Sequence, residues 1–235
     1  GLRGGRLDIV ATSPDSALLQ LKSKDDLKYA FTLDQSFGAD GVVALKELKT
    51  LADLKGKSVG VMKGSISEYW LNYLMRSYGE GVTAKDLKLV DMTAGDAGAA
   101  FVAKKIDAAV TWEPWLSRAN KTDHGHVIID SKKTPGRLGD VLVMKTEYAK
   151  ANPEKLRAFL KSWDEAIKFL RANPDEAHAI MAKGVGGWLK DPKTFGQVLT
   201  NVQFFDEQQI RANMGTKARP GPFRQIVADA IDIWS

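Results

Sequence analysis

Residues 59–71 read VGVMKGSISEYWL, a short apolar strand pattern that passes through Lys63-Gly64 into a helix opening at serine. An exposed helix start leaves backbone N–H groups unpaired and presents the positive end of the macrodipole, so a negatively charged group is stabilised there. The same residues also make a self-contained cap, with Glu68 completing a capping box from Ser65. The sequence leaves both readings open.

Outward from this unit, strand and helix patterns alternate along most of the chain, which argues for an α/β protein with a largely parallel sheet. Upstream, LDIVAT (7–12) reads as a short strand leading through SPDS into a helix at SALLQLKSK (16–24), followed by the extended runs LKYAFTLD (27–34) and GVVALKEL (41–48). Downstream come a strand at LKLVDMT (87–93), a helix at AGDAGAAFVAKK (94–105), and strands at IDAAVTW (106–112) and GHVIID (125–130). A further strand, DVLVMK (140–145), precedes helices that restart at Pro153 and Pro174, as proline in a first turn favours. Leu156, Phe159, Leu160, Trp163, Ile167 and Leu170 form an apolar stripe at helical spacing, expected to face a core. The tail helices after Gly184 carry no chemistry of their own.

With 235 residues, 44% hydrophobic and 27% charged, the chain has room for one large domain or two lobes and is not of disordered composition. Its net charge of +5 arises from 34 basic and 29 acidic residues scattered on alternating faces, so no basic block marks a nucleic-acid partner. Cysteine is absent, which excludes disulfides, thiolate catalysis and cysteine-ligated metals. Of three histidines, His124 and His126 stand in a polar run read as a turn before a strand, and neither a metal nor a cofactor is called for. The glycine, serine and histidine motifs of common enzyme families are missing, so no catalytic residue is assigned. No apolar run reaches membrane-span length. The chain opens on GLRGGRLDIVAT without a signal peptide and is expected to begin after the start of the gene product.

Four turns sit where strands meet helices or crossings, the place where open α/β sheets bind ligands: residues 11–16, 34–41, 62–67 and 111–115. In the last, TWEPW, Glu113 is a candidate for a cationic group while Trp112 or Trp115 packs its apolar part.

The order of LRGGRLDIVATSPDSAL, LADLKGKSVGVMKGSISEYWL, KKIDAAVTWEPWLSRA and GDVLVMKTEYAKANPEKLRAFLKSWDEAIKFLRANPDEA resembles the solute-binding proteins of ABC importers. The nearest group serves taurine, alkanesulfonates, nitrate and thiamine-precursor pyrimidines. The resemblance implies a type II periplasmic-binding-protein-like fold of two lobes joined by two crossing strands, YAFTLDQSFGADGVVAL (29–45) and RLGDVLVMK (137–145), with ligand held in the cleft. Lobe I is expected at 1–45 and 140–235, incomplete at its N-terminus, and lobe II at 46–139. The implied ligand contacts are Gly64, Ser65 and Ser67 for an anionic group, Ser13, Asp15 and Ser16 facing them, Trp112 and Glu113 for an amine, and Asp40 and Asp140 in the crossings. The implied role is a monomeric, non-catalytic protein of the periplasm or outer surface that hands a small molecule to a membrane permease, with no nucleic-acid partner. A taurine- or alkanesulfonate-like ligand leads, with a pyrimidine or amine as the alternative. A pyrimidine-synthase-like enzyme and a ligand-sensing regulatory domain are the remaining classes, the former disfavoured by the lack of cysteine.

Overall fold

A computed structural model describes residues 2, 4–19 and 26–235. In chain order the strands are β1 (Ile9–Thr12), β2 (Leu27–Thr32), β3 (Asp34–Ser36), β4 (Asp40–Leu45), β5 (Ser58–Val61), β6 (Lys88–Asp91), β7 (Ala108–Trp112), β8 (Gly125–Asp130), β9 (Val141–Lys145) and β10 (Val202–Phe204). The α-helices are α1 (Pro14–Leu18), α2 (Ile66–Tyr78), α3 (Ala94–Val102), α4 (Trp115–Asn120), α5 (Thr146–Ala151), α6 (Pro153–Ala172), α7 (Pro174–Val185), α8 (Pro192–Leu199), α9 (Glu207–Met214) and α10 (Phe223–Trp234). The helix expected over 16–24 is described only as far as α1; its remainder lies outside the described residues.

The chain divides into two compact units, one of Gly1–Gln35 with Gly139–Ala228 and one of Ser36–Leu138 with Asp229–Ser235. In the first, β9 is the middle strand of an antiparallel sheet ordered β1-β9-β2. Alternate β9 side chains point to opposite faces. Leu142 and Met144 pack with Phe31, Leu33, Phe205 and Ile210, while Val141 and Val143 pack with Ala17, Phe223 and Ile226. A strand covered on both faces reads as an unbroken apolar run, which is why VLVM shows no alternation. The α6 stripe turns toward the first of these clusters through Leu156, Leu160 and Trp163, and Ile167 is buried, but Phe159 stays 39% exposed beside Phe31.

The second unit holds a five-stranded sheet ordered β6-β5-β7-β4-β8. Val42, Val43, Val59, Val61, Ala108 and Ala109 are fully buried at its centre, and α2 lays Tyr69, Trp70, Leu71, Leu74 and Met75 into the core. Burying each leucine contributes about 1.5–3 kcal/mol. Trp70 also anchors the opposite wall, its Nε1 donating to Thr134 Oγ1 at 2.9 Å. The turn ahead of β4 is pinned by a fully buried hydroxyl: Ser131 Oγ accepts from Gly38 N at 2.7 Å and shares a 2.8 Å hydrogen bond with Ser36 Oγ, which accepts from Asp40 N. Residues 229–235 join this unit through ion pairs of Asp229 with Arg137 and Asp232 with Arg76.

Two expectations change. The sheets are not largely parallel: β5 runs parallel to β6 and β7, whereas β9 runs antiparallel to β1 and β2, and β4 to β7 and β8. Strands β6 and β7 follow helices that return the chain, whereas β4 and β9 are entered through loops and run opposite to their neighbours. Residues 40–45, given to lobe I by the sequence reading, are β4 and lie in the second unit's sheet, bonded to β7 and β8. Gly139 goes with the first unit and residues 229–235 with the second.

Candidate functional site

The parallel run of β5, β6 and β7 brings their carboxyl ends to one edge of the second unit's sheet, and α2, α3 and α4 start there. β4 runs the other way with Asp40 opposite Trp112, so its first residue reaches the same edge. This edge gathers Asp40, Gly64, Ser65, Ser67, Trp112 and Glu113, six of the residues singled out from sequence.

The helix openings at this edge are already served by the protein's own side chains. Gly64 adopts φ +65°, a conformation that glycine takes without steric cost. Its N–H donates to Glu68 Oε2 at 2.7 Å. Ser65 Oγ accepts from Ser67 N at 3.2 Å and donates to Met62 O at 2.6 Å. The expected capping box is therefore displaced by one residue, because Glu68 reaches Gly64 rather than the Ser65 N–H. Lys63 N donates to Asp91 Oδ1 at 3.0 Å. At the next helix, Thr93 caps Asp96 N and donates its hydroxyl to the Asp96 carboxylate.

Glu113 has a comparable task. Its two oxygens accept from Ser117 Oγ at 2.7 Å and Ser117 N at 3.2 Å, so it caps α4 from four residues upstream. Trp115 is half-buried and packs closely on α3, where a Cβ at Gly98 would stand 2.7 Å from its Cβ, while Arg118 lies 4.9 Å over its ring. Trp112 is half-buried at the strand end. Asp40, Glu68, Asp91, Asp96 and Glu113 outnumber the basic Lys63 and Arg118 at this edge, a balance that suits a group bearing N–H donors better than a plain anion.

In the first unit, β1 ends where β9 begins, with Thr12 opposite Val141, and Thr32 of β2 is opposite the same residue. Ser13, Asp15, Ser16 and Asp140 accordingly collect at one end of this sheet. Ser13 donates to Ser16 Oγ at 2.8 Å, and Ser16 reaches Asp15 Oδ2 only at 3.5 Å. Asp15 is 1% exposed, and its Oδ1 has no hydrogen-bond partner. Burial raises its pKa, partly offset by the hydroxyls of Ser13 and Ser16. Tyr29, which donates to Pro14 O at 2.8 Å, is pushed well above the ordinary phenol range by burial and by the Asp15 charge. Asp140 keeps solvent access at its side chain, yet protein crowding its carboxyl raises its pKa by desolvation. Its backbone holds the turn, N–H to Asp34 Oδ1 and carbonyl to Leu33 N.

The sequence reading missed Asp91, Asp96, Ser117 and Tyr29; for Ser117 the four-residue spacing from Glu113 was the available signal. His124 and His126 each bind a backbone carbonyl, of Phe101 and Leu48, and among the described residues no cluster of three or more potential ligands could hold a metal ion.

The chain is 27% identical over 185 residues to a Brucella abortus (strain 2308) protein named for binding with no ligand stated, covering 77% of this chain and 56% of that protein. It thus spans little more than half the length of such relatives. It is 28% identical over 173 residues to the taurine-binding periplasmic protein of Escherichia coli (strain K12), covering 72% and 49% of the two chains. The crystal structure of the periplasmic aliphatic sulphonate binding protein SsuA from Escherichia coli superposes with a TM-score of 0.73 at 24% identity, covering 88% of this chain and 72% of that one, and shares its fold. Residues 5–177 match the family described as NMT1/THI5 like, and the chain belongs to that family.

Proposed function

We propose that the chain is the substrate-binding component of an ABC importer, capturing a small sulfur- or nitrogen-containing solute and delivering it to a membrane permease. The observation that carries this reading is family membership over residues 5–177, joined by relatives named for taurine and aliphatic sulphonate. The protein acts by binding alone, as a monomer in the periplasm or at the outer surface.

The proposed ligand contacts are strand-end residues of each unit. In the second unit these are Asp40, Gly64, Ser65, Ser67, Trp112 and Glu113; in the first, Ser13, Asp15, Ser16 and Asp140. A helix N-terminus supplies about 0.3–1 kcal/mol to an anion, up to about 2 when partly buried. Micromolar affinity needs about 8 kcal/mol, so hydroxyl hydrogen bonds and packing on Trp112 must provide most of it. The carboxylates at the second unit's edge favour a zwitterion over a simple anion such as nitrate. They equally support a second reading, an amino-pyrimidine or other nitrogenous ligand.

The test is a thermal-melting screen against taurine, ethanesulfonate, pyrimidines, small amines and nitrate. A ligand that binds only the folded state stabilises by about 2.7 kcal/mol at a hundredfold excess over its Kd. A clear rise in Tm with one of the first four classes supports the proposal. A cooperative melt that no compound shifts counts against it.

A further inference from the structure

Among the described residues, Asp15 is the buried carboxyl at these sheet ends with an oxygen, Oδ1, that finds no hydrogen-bond partner. Glu68, Asp91, Asp96 and Glu113 each hold a hydrogen-bond donor at 2.7–3.0 Å. The Asp15 carboxyl is served by the hydroxyls of Ser13 and Ser16 and by local backbone N–H groups, but its buried Oδ1 has no partner. The Tyr29 hydroxyl, the other polar group close by, is committed to Pro14 O. No cation among the described residues acts on it. A buried acceptor without a donor is costly, so such a group in a native protein calls for a partner, whether water, ion or ligand.

We propose that Asp15 reads the nitrogen end of the ligand, accepting a hydrogen bond from an ammonium or amino group, so that the chain selects N–H-bearing ligands over analogues that lack the group. The inference rests on the ligand-binding reading and narrows its substrate class. A plain alkanesulfonate brings no donor to Oδ1 and leaves the acceptor unpaired, which is how a polar site rejects a close analogue.

The test uses matched pairs, taurine with ethanesulfonate and 4-aminopyrimidine with pyrimidine, titrated calorimetrically into the full chain. The N–H member of one pair should bind roughly ten to a hundred times more tightly, the range for a hydrogen bond to a charged group; which pair shows it separates an aminosulfonate from an amino-heterocycle. Asp15→Asn should lower that ratio at least about fivefold while changing the plain member's affinity less than about threefold. Equal affinities within both pairs, or discrimination that survives Asp15→Asn, would overturn the role of Asp15 while leaving the binding function standing. No binding by any of the four removes the binding reading itself, and the inference with it. Should Asp15→Asn fail to fold, carboxyl carbon NMR of the wild type decides: the Asp15 signal should move on saturation with the N–H ligand, and a stationary signal overturns the proposal.

Discussion

Replacing Ser131 with alanine tests how the turn leading into β4 is held. The Ser131 hydroxyl is fully buried and is the acceptor for Gly38 N at 2.7 Å. Removing it leaves a buried N–H unpaired, costing about 1–3 kcal/mol, and ends the hydrogen bond with Ser36, worth about 1 kcal/mol. Ser36 keeps the Asp40 N–H, so its loss is partial. The sum, roughly 2–4 kcal/mol, is a large share of the 5–15 kcal/mol typical of a folded protein. Urea unfolding followed by tryptophan fluorescence measures it as a shift in midpoint at constant slope. Ser36→Ala leaves the Gly38 contact in place and should cost about 1–2 kcal/mol. A Ser131→Ala loss below about 0.5 kcal/mol, or a Ser36→Ala loss exceeding it, would refute the accounting of these bonds.

Ser65→Ala should destabilise the chain by about 1 kcal/mol in the same urea assay, the usual loss of a serine N-cap. Glu113→Gln should weaken taurine about tenfold and ethanesulfonate less than threefold by calorimetry; equal losses would mean that Glu113 only caps α4. For Asp15, burial raises the folded-state pKa above the unfolded value of 3.8. The unfolded chain then ionises first as pH rises, so this group withdraws stability above about pH 4 and none below it. Asp15→Asn should therefore gain in melting temperature relative to wild type as pH increases from 3.5 to 7, and a pH-independent difference would contradict the assignment.

Much of the fold was legible because local pattern and tertiary role agree. The strand–turn–helix at 58–78, the breaks at Asn152-Pro153 and Asn173-Pro174, and the last helix at 223–234 follow from apolar periodicity and proline chemistry. Strand direction was not legible, since alternation cannot tell whether a loop or a helix returns the chain, and β4 and β9 are loop-entered. The candidate edge residues could be named because strand ends meeting helix starts are visible in sequence. Their hydrogen-bond partners could not: whether Glu68 turns to Ser65 or Gly64, and whether Glu113 faces outward or onto Ser117, depends on backbone geometry that a spacing rule does not contain. The orphaned oxygen of Asp15 is likewise a property of packing, since SPDS reads as an ordinary helix start.

Helix α4 has only six residues, fewer than an isolated helix needs to persist in water. What holds it comes from outside its own backbone: the Glu113 carboxylate at its first turn, Trp115 against the glycines of α3, and Leu116 against Gly41 of β4. Its amides should consequently exchange with deuterium through a local opening of their own, well before those of β4, which are bonded along both edges. The rate at residues 115–120 then becomes a gauge of where the Glu113 carboxylate is engaged. A ligand that draws it away from Ser117 would announce itself as faster exchange in this one turn, whatever the ligand's identity.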